Sequence, residues 1–229
     1  MTSSATSGAM SRKRVLLVDD HAVVRAGLTG LINEEPDLVV CGEAEDESRA
    51  LAAVRELQPD VAVVDWSLRD RDASELIRTL SRQHPQMPVL VLSIHEEQHY
   101  AERAIRAGAC GYVMKHEATN KLVTAIRRVT AGQLLIPPKA MRAASTAGTA
   151  EWPPENNALL KMLTEAEMDA LRLIANGHSS SRIAELLGLC PKDFHALQES
   201  LRSKLRLCNT TELFQTAPRW VAESYRIGQ

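Results

Sequence analysis

Residues 14–21 read Arg14-Val15-Leu16-Leu17-Val18-Asp19-Asp20-His21, a short unbroken apolar run that ends abruptly on two carboxylates. Four consecutive aliphatic residues without polar alternation are what a strand buried on both faces requires. The same pattern returns at Leu38-Val39-Val40, Val61-Ala62-Val63-Val64, Val89-Leu90-Val91-Leu92 and Gly111-Tyr112-Val113-Met114. Between these runs lie stretches of helical periodicity, over 22–33, 46–56, 73–83, 97–107 and 118–131. In the last of them Leu122, Ala125, Ile126 and Val129 share one face. Five β–α units in succession predict an α/β domain: a five-stranded parallel sheet, doubly wound, with helices on both sides.

That rhythm stops near residue 136. Pro137-Pro138, a run of Ala, Ser, Thr and Gly, and then Trp152-Pro153-Pro154 predict a linker over 137–157. Beyond it the pattern is helical throughout, predicting a small all-α domain over 158–229. Thr164 with Glu167 three residues on forms a capping-box start. Asn176-Gly177 supplies a C-cap. A short helix follows Ser179 or Ser180 up to Leu187-Gly188, and Pro191 opens a further helix to about Leu205. Two short helices joined by a brief Gly-containing turn make a helix-turn-helix. Pro218, inside what would be the last helix, is expected to break or kink it.

The composition is that of a globular protein, with 45% hydrophobic and 24% charged residues. Aromatics are only 3%, so the core must be aliphatic. No run reaches the roughly 18 apolar residues needed to span a bilayer, so no membrane association is expected. Residues 1–12 are small and polar and lack an apolar core, which predicts a disordered leader rather than a secretory signal. Cys41, Cys110, Cys190 and Cys208 are scattered without a Cys-x-x-Cys pair, which argues against a disulfide framework or cysteine zinc site and fits a reducing cytoplasm. The net charge of −2 gives no general nucleic-acid signal.

Asp19 and Asp20 end the first strand and Asp65 ends the third. In a doubly wound sheet, groups at the carboxyl ends of strands gather in one crevice. Three carboxylates brought together repel unless a hard cation neutralises them, and oxygen-ligated Mg²⁺ is the natural occupant. Ser93 closes the fourth strand and Lys115 follows the fifth, so a hydroxyl and an ammonium project at the same end. This set suits phosphoryl transfer to a carboxylate. Singly, each residue is weak: a lone Asp is usually a helix cap and a lone Lys a solvated charge. All five at the ends of the correct strands make a strong combined signal.

On these motifs, Val18-Asp19-Asp20-His21, Asp65, Leu92-Ser93 and Gly111-Tyr112-Val113-Met114-Lys115, residues 14–135 resemble the receiver domain of two-component response regulators. The resemblance implies the flavodoxin-like sheet, a receiver over 13–136, and Asp65 as phosphoacceptor for a sensor histidine kinase. It implies Mg²⁺ held by Asp19, Asp20, Asp65 and the backbone carbonyl of Ser67. Lys115 would bind the phosphoryl group, and Ser93 and Tyr112 fall on the switch positions; ordinary strand packing is the alternative for Tyr112. Such a protein is no enzyme in the ordinary sense, taking part only in transfer to its own Asp65 and autodephosphorylation. The loop after the acceptor departs from the pattern. Leu68-Arg69 stands where many receivers have Met-Pro, Ala73 stands where many have Gly, and Arg69-Asp70-Arg71-Asp72 crowds four charges.

His95-Glu96-Glu97-Gln98-His99 satisfies the H-E-x-x-H zinc-protease pattern. Five residues with three fixed is a cheap match, His95 falls where a strand-to-helix turn belongs, and no third ligand stands out. A polar loop and first helical turn is the favoured reading.

Residues 163–213 resemble the tetrahelical helix-turn-helix of the family that includes the nitrate regulators and quorum-sensing activators. The matching stretches are Leu163-Thr164, Glu167, 171–177, 183–187, Lys204-Leu205 and Glu212-Leu213. The resemblance implies a recognition helix over about 191–205 that enters the DNA major groove, with homodimers forming on phosphorylation. Asp193-Phe194-His195, Leu197 and Gln198 depart from the usual contact residues. Lys192, His195, Arg202, Lys204 and Arg206 remain as DNA-contact candidates, with a solvated helix face as the alternative for the last three. From residue 151 onward nine Lys and Arg face ten Asp and Glu, so a basic excess is missing. Two readings therefore stand: a phosphorylation-controlled transcription factor, and a phospho-signalling protein whose helical domain serves protein–protein interaction.

Overall fold

The computed structural model describes residues 12–69, 71–94, 97–135, 153 and 155–227. Its first half is a five-stranded parallel sheet in the order β2-β1-β3-β6-β7. The strands are β1 (Lys13–Val18), β2 (Leu38–Ala44), β3 (Val61–Asp65), β6 (Val89–Ser93) and β7 (Gly111–Met114). Helices α1 (Ala22–Asn33), α2 (Glu47–Leu57), α3 (Ser74–Gln83), α4 (Glu97–Ala107) and α5 (Ala118–Thr130) connect and cover them. All five expected strands and all five expected helices are present. Their side chains alternate between two separate cores. Leu16, Val18, Ala62, Val64 and Val91 pack toward α2, α3 and α4, while Val15, Leu17, Val63, Leu90 and Leu92 pack toward α1 and α5. Both faces are dry, which is why the strands read as continuous apolar runs.

Two features lay outside the periodicity. A two-residue hairpin, β4 (Ser67–Leu68) with β5 (Arg71–Asp72), follows the acceptor strand, and a 3₁₀ turn spans Lys115–Glu117. Leu135 rejoins the receiver through a bridge to Gly111.

The second half is helical: α6 (Glu155–Lys161), α7 (Glu165–Ala175), α8 (Ser180–Leu186), α9 (Pro191–Lys204) and α10 (Thr210–Ile227). Helix α6 begins inside the stretch expected as linker, because Leu159 and Leu160 are buried against the helical core. The capping box at Thr164 and Glu167 is formed, and Gly177 takes the left-handed conformation at the end of α7. Pro218 does not break α10, which runs through it. Leu213, Phe214, Ala217 and Trp220 are all buried on one face of that helix and hold it together across the proline.

The expected leader, apart from residue 12, lies outside the described residues, as do most of the expected linker and the His95-Glu96 half of the H-E-x-x-H motif. No helix among the described residues is long and apolar enough to cross a membrane.

Candidate functional site: an acidic pocket and a docked recognition helix

The carboxyl ends of β1, β3, β6 and β7 converge on one pocket. Asp19 and Asp65 are both nearly fully buried there, and Lys115 reaches between them, 2.7 Å from Asp19 Oδ2 and 2.9 Å from Asp65 Oδ2. Burial raises the Asp65 carboxyl above its ordinary pKa, and the Lys115 ammonium opposes this without cancelling it. Burial pulls Lys115 down, but hydrogen bonds to Asp19 and Asp65 outweigh it, so the ammonium is held above its ordinary value. The backbone N–H of Ser67 also donates to Asp65. Ser93 is buried at the end of β6, and Tyr112 is buried on β7.

Asp20 is only partly buried. Its Oδ1 has no hydrogen-bond partner, although His21 Nδ1 lies 2.9 Å away; the same nitrogen is 3.2 Å from Asp19 Oδ1. Asp19, Asp20, His21 and Asp65 each offer one ligand atom, all within 4.8 Å of one another. A divalent cation would satisfy the unpartnered oxygen and relieve the repulsion, so the donor set fits one. The structure thus brings together Asp19, Asp20, His21, Asp65, Ser67 and Lys115, while Ser93 and Tyr112 are buried on the neighbouring strands β6 and β7.

The loop beyond the acceptor is clasped on two sides, which the sequence reading did not find. Arg69 reaches Glu45 and Asp46, while Asp72 pairs with Arg103 of α4. Arg103 lies over the ring of buried Trp66 at 5.4 Å, and Tyr100 meets that ring edge-on. The crowded charges were the available signal, but their partners lie on other elements.

In the helical half, α8 and α9 form the helix-turn-helix around Gly188, which has φ +66. The five DNA-contact candidates divide. Lys192 and Arg206 are exposed. Arg202 bonds Glu199 at 2.6 Å and the Cys208 carbonyl at 2.8 Å, and Lys204 bonds buried Glu167 at 2.7 Å, so both act within the domain. His195 faces Gly132 at the end of α5. Helix α9 is therefore docked on the receiver.

The start of α10 secures that docking. Asn209 Nδ2 donates to Ser81 Oγ at 2.6 Å, and Gln215 Nε2 donates to the Ile105 carbonyl at 2.6 Å. Fully buried Thr211 reaches the Ala109 carbonyl and Cys110 Sγ.

A parallel doubly wound sheet with a buried Asp–Lys pocket, joined to a helix-turn-helix, defines a receiver coupled to an output domain. Residues 15–127 match the response regulator receiver domain, and residues 161–217 match the bacterial regulatory proteins of the luxR family. The chain is 34% identical to Response regulator GacA of Pseudomonas aeruginosa, over 90% of this chain and 95% of that one. It is 31% identical to Oxygen regulatory protein NreC of Staphylococcus carnosus, over 89% and 96%. Among solved structures, a LuxR-family response regulator from Aurantimonas is 33% identical, with TM-score 0.53, over 59% of this chain and 97% of that one. RcsB of Salmonella typhimurium shares the fold at 22% identity and TM-score 0.52, over 92% and 100%. The chain belongs to the two-component response regulators with a LuxR-type helix-turn-helix DNA-binding output domain.

Proposed function

We propose that a sensor histidine kinase phosphorylates Asp65 and that this event controls DNA binding by the output domain. The observation that carries the reading is Lys115 set between Asp19 and Asp65 at the mouth of the sheet. Mg²⁺ held by Asp19, Asp20, Asp65 and the Ser67 carbonyl would neutralise charge between acceptor and phosphodonor. An Asp65 carboxylate oxygen attacks phosphorus, a P–O bond forms, and the bond to the donor's imidazole nitrogen breaks. Lys115 then pairs with a phosphoryl oxygen, and on the receiver resemblance Ser93 and Tyr112 would follow the new group. Water later hydrolyses the acyl phosphate and restores Asp65.

The docked position of α9 supports an off state. His195 and Gln198 face the receiver, and a helix so placed cannot enter a major groove. Phosphorylation would shift the population toward an undocked form that pairs into homodimers. On this reading the domains fall at 13–136 and 158–229, and the protein works in the cytoplasm.

A second reading keeps the phosphorylation and replaces DNA by a protein partner. Arg202 and Lys204 being engaged inside the domain favours it, since fewer cations are left for phosphates. Mobility shift against genomic fragments, for wild type and Asp65→Ala with and without a small phosphodonor and Mg²⁺, decides. Specific binding that strengthens only for phosphorylated wild type establishes the first reading. Phosphorylated Asp65 with no specific shift at low salt overturns the first and leaves the second.

A further inference from the structure

Arg69 occupies the turn of the β4–β5 hairpin with φ +47, a left-handed conformation that an arginine rarely takes. No glycine relieves it, so neighbouring contacts must hold the turn. Three contacts do so. The Arg69 backbone N–H donates to Asp20 Oδ2 at 3.2 Å. Its guanidinium donates to Glu45 Oε1 at 2.9 Å and lies 3.3 Å from Asp46 Oδ2. Glu45 and Asp46 follow β2 directly, and Asp46 is fixed in turn as the N-cap of α2.

The consequence falls on Asp20. One of its oxygens is bound by Arg69, and the other is buried without a hydrogen bond inside the group of Asp19, His21 and Asp65. A proline at 69, common in chains that resemble this one, has no N–H to offer. Glycine or alanine there would offer the N–H but no tether.

We propose that Arg69 is a positioning residue for the metal-bound acceptor site: its guanidinium straps the hairpin to Glu45 and Asp46, so that its backbone N–H aims the Asp20 carboxylate at the cation. The proposal rests on the receiver reading above and goes beyond it by assigning a role to a residue that the receiver motifs leave out. Supporting hydrogen bonds to a metal-ligating carboxylate govern metal affinity.

The test is calorimetric titration of the unphosphorylated full chain with Mg²⁺. Arg69→Ala and Arg69→Asn are expected to weaken Mg²⁺ binding about tenfold. The asparagine variant tolerates the left-handed turn, so it separates the strap from backbone strain. Glu45→Gln, which cuts the tether from the other side, should weaken binding in the same direction. The double variant should be no weaker than Arg69→Ala alone, and Arg69→Lys should recover part of the affinity.

Thermal unfolding without Mg²⁺ should barely move, because exposed ion pairs contribute little to stability. A pure charge effect predicts opposite signs: removing a cation tightens Mg²⁺ binding, and removing an anion weakens it. That result, or unchanged affinity in Arg69→Asn and Glu45→Gln, overturns the proposal. Wild type that binds no Mg²⁺ removes the metal-assisted chemistry proposed above, and this proposal with it.

Discussion

Gly132 stands directly beneath His195 of the recognition helix: a Cβ on Gly132 would lie 3.0 Å from His195 Nδ1. The glycine has φ +75, and its bare backbone lets α9 approach the receiver more closely than a side chain would allow. The contact is poorly satisfied, since His195 Nδ1 and Gln198 Nε2 are buried there without hydrogen-bond partners. Unpaired buried polar groups cost free energy, so the docked form is held chiefly by α10. Gly132→Ala and Asn209→Ala should each release the output domain. Small-angle X-ray scattering should show an increased radius of gyration for both, and an unchanged value would contradict this account of docking.

Asp65 and Lys115 give the most direct chemical prediction. Asp65→Asn keeps the shape of the side chain and removes the nucleophile, so acyl-phosphate formation should vanish in intact-mass spectra. Lys115→Ala should leave Asp65 in place but slow its phosphorylation, since the ammonium at 2.9 Å is lost. Chelating divalent cations with EDTA should abolish labelling of wild type, and excess Mg²⁺ should restore it. Labelling that persists in EDTA would remove the metal from the proposed chemistry.

The receiver was legible because its strands are buried on both faces, and such strands announce themselves as aliphatic runs such as Val61 to Val64. Asp19, Asp65, Ser93 and Lys115 were legible because strand ends in a parallel sheet share one crevice. What escaped was set by contacts between distant segments. Arg69 takes a left-handed turn that its residue type does not signal, and its partners Glu45 and Asp46 come from the turn between β2 and α2. Lys204 looked like a phosphate contact on a helix face, yet Glu167 on α7 claims it. Gly132 gains its meaning only from His195, on a helix of the other domain.

Glu167 ties the helical domain to pH. Burial pushes its carboxyl up, but Lys204, Ser200 and Thr164 outweigh that and hold it at about 2. The unfolded chain should titrate near the ordinary value of 4.5. A depressed folded pKa stabilises the fold while the group is ionised in both states. That contribution is complete above about pH 5 and declines as pH falls toward 2. The shift corresponds to roughly 3 kcal/mol. Glu167→Gln should lose most of it at neutral pH and flatten the acid limb of the helical domain's stability curve. Parallel acid limbs in the two proteins would show that another group controls this transition.

Pro218 is exposed on α10, yet the helix continues past it. A proline there has no N–H for the Phe214 carbonyl and crowds the preceding turn, at a cost of about 3 kcal/mol in a helix interior. Packing of Leu213, Phe214, Ala217 and Trp220 meets that cost. Because the proline ring faces solvent, Pro218→Ala should restore a hydrogen bond without removing core contacts. An increase of about 2 kcal/mol in unfolding free energy is expected, read as a higher melting temperature with an unchanged denaturant slope. A neutral or less stable variant would contradict this account of the proline's cost.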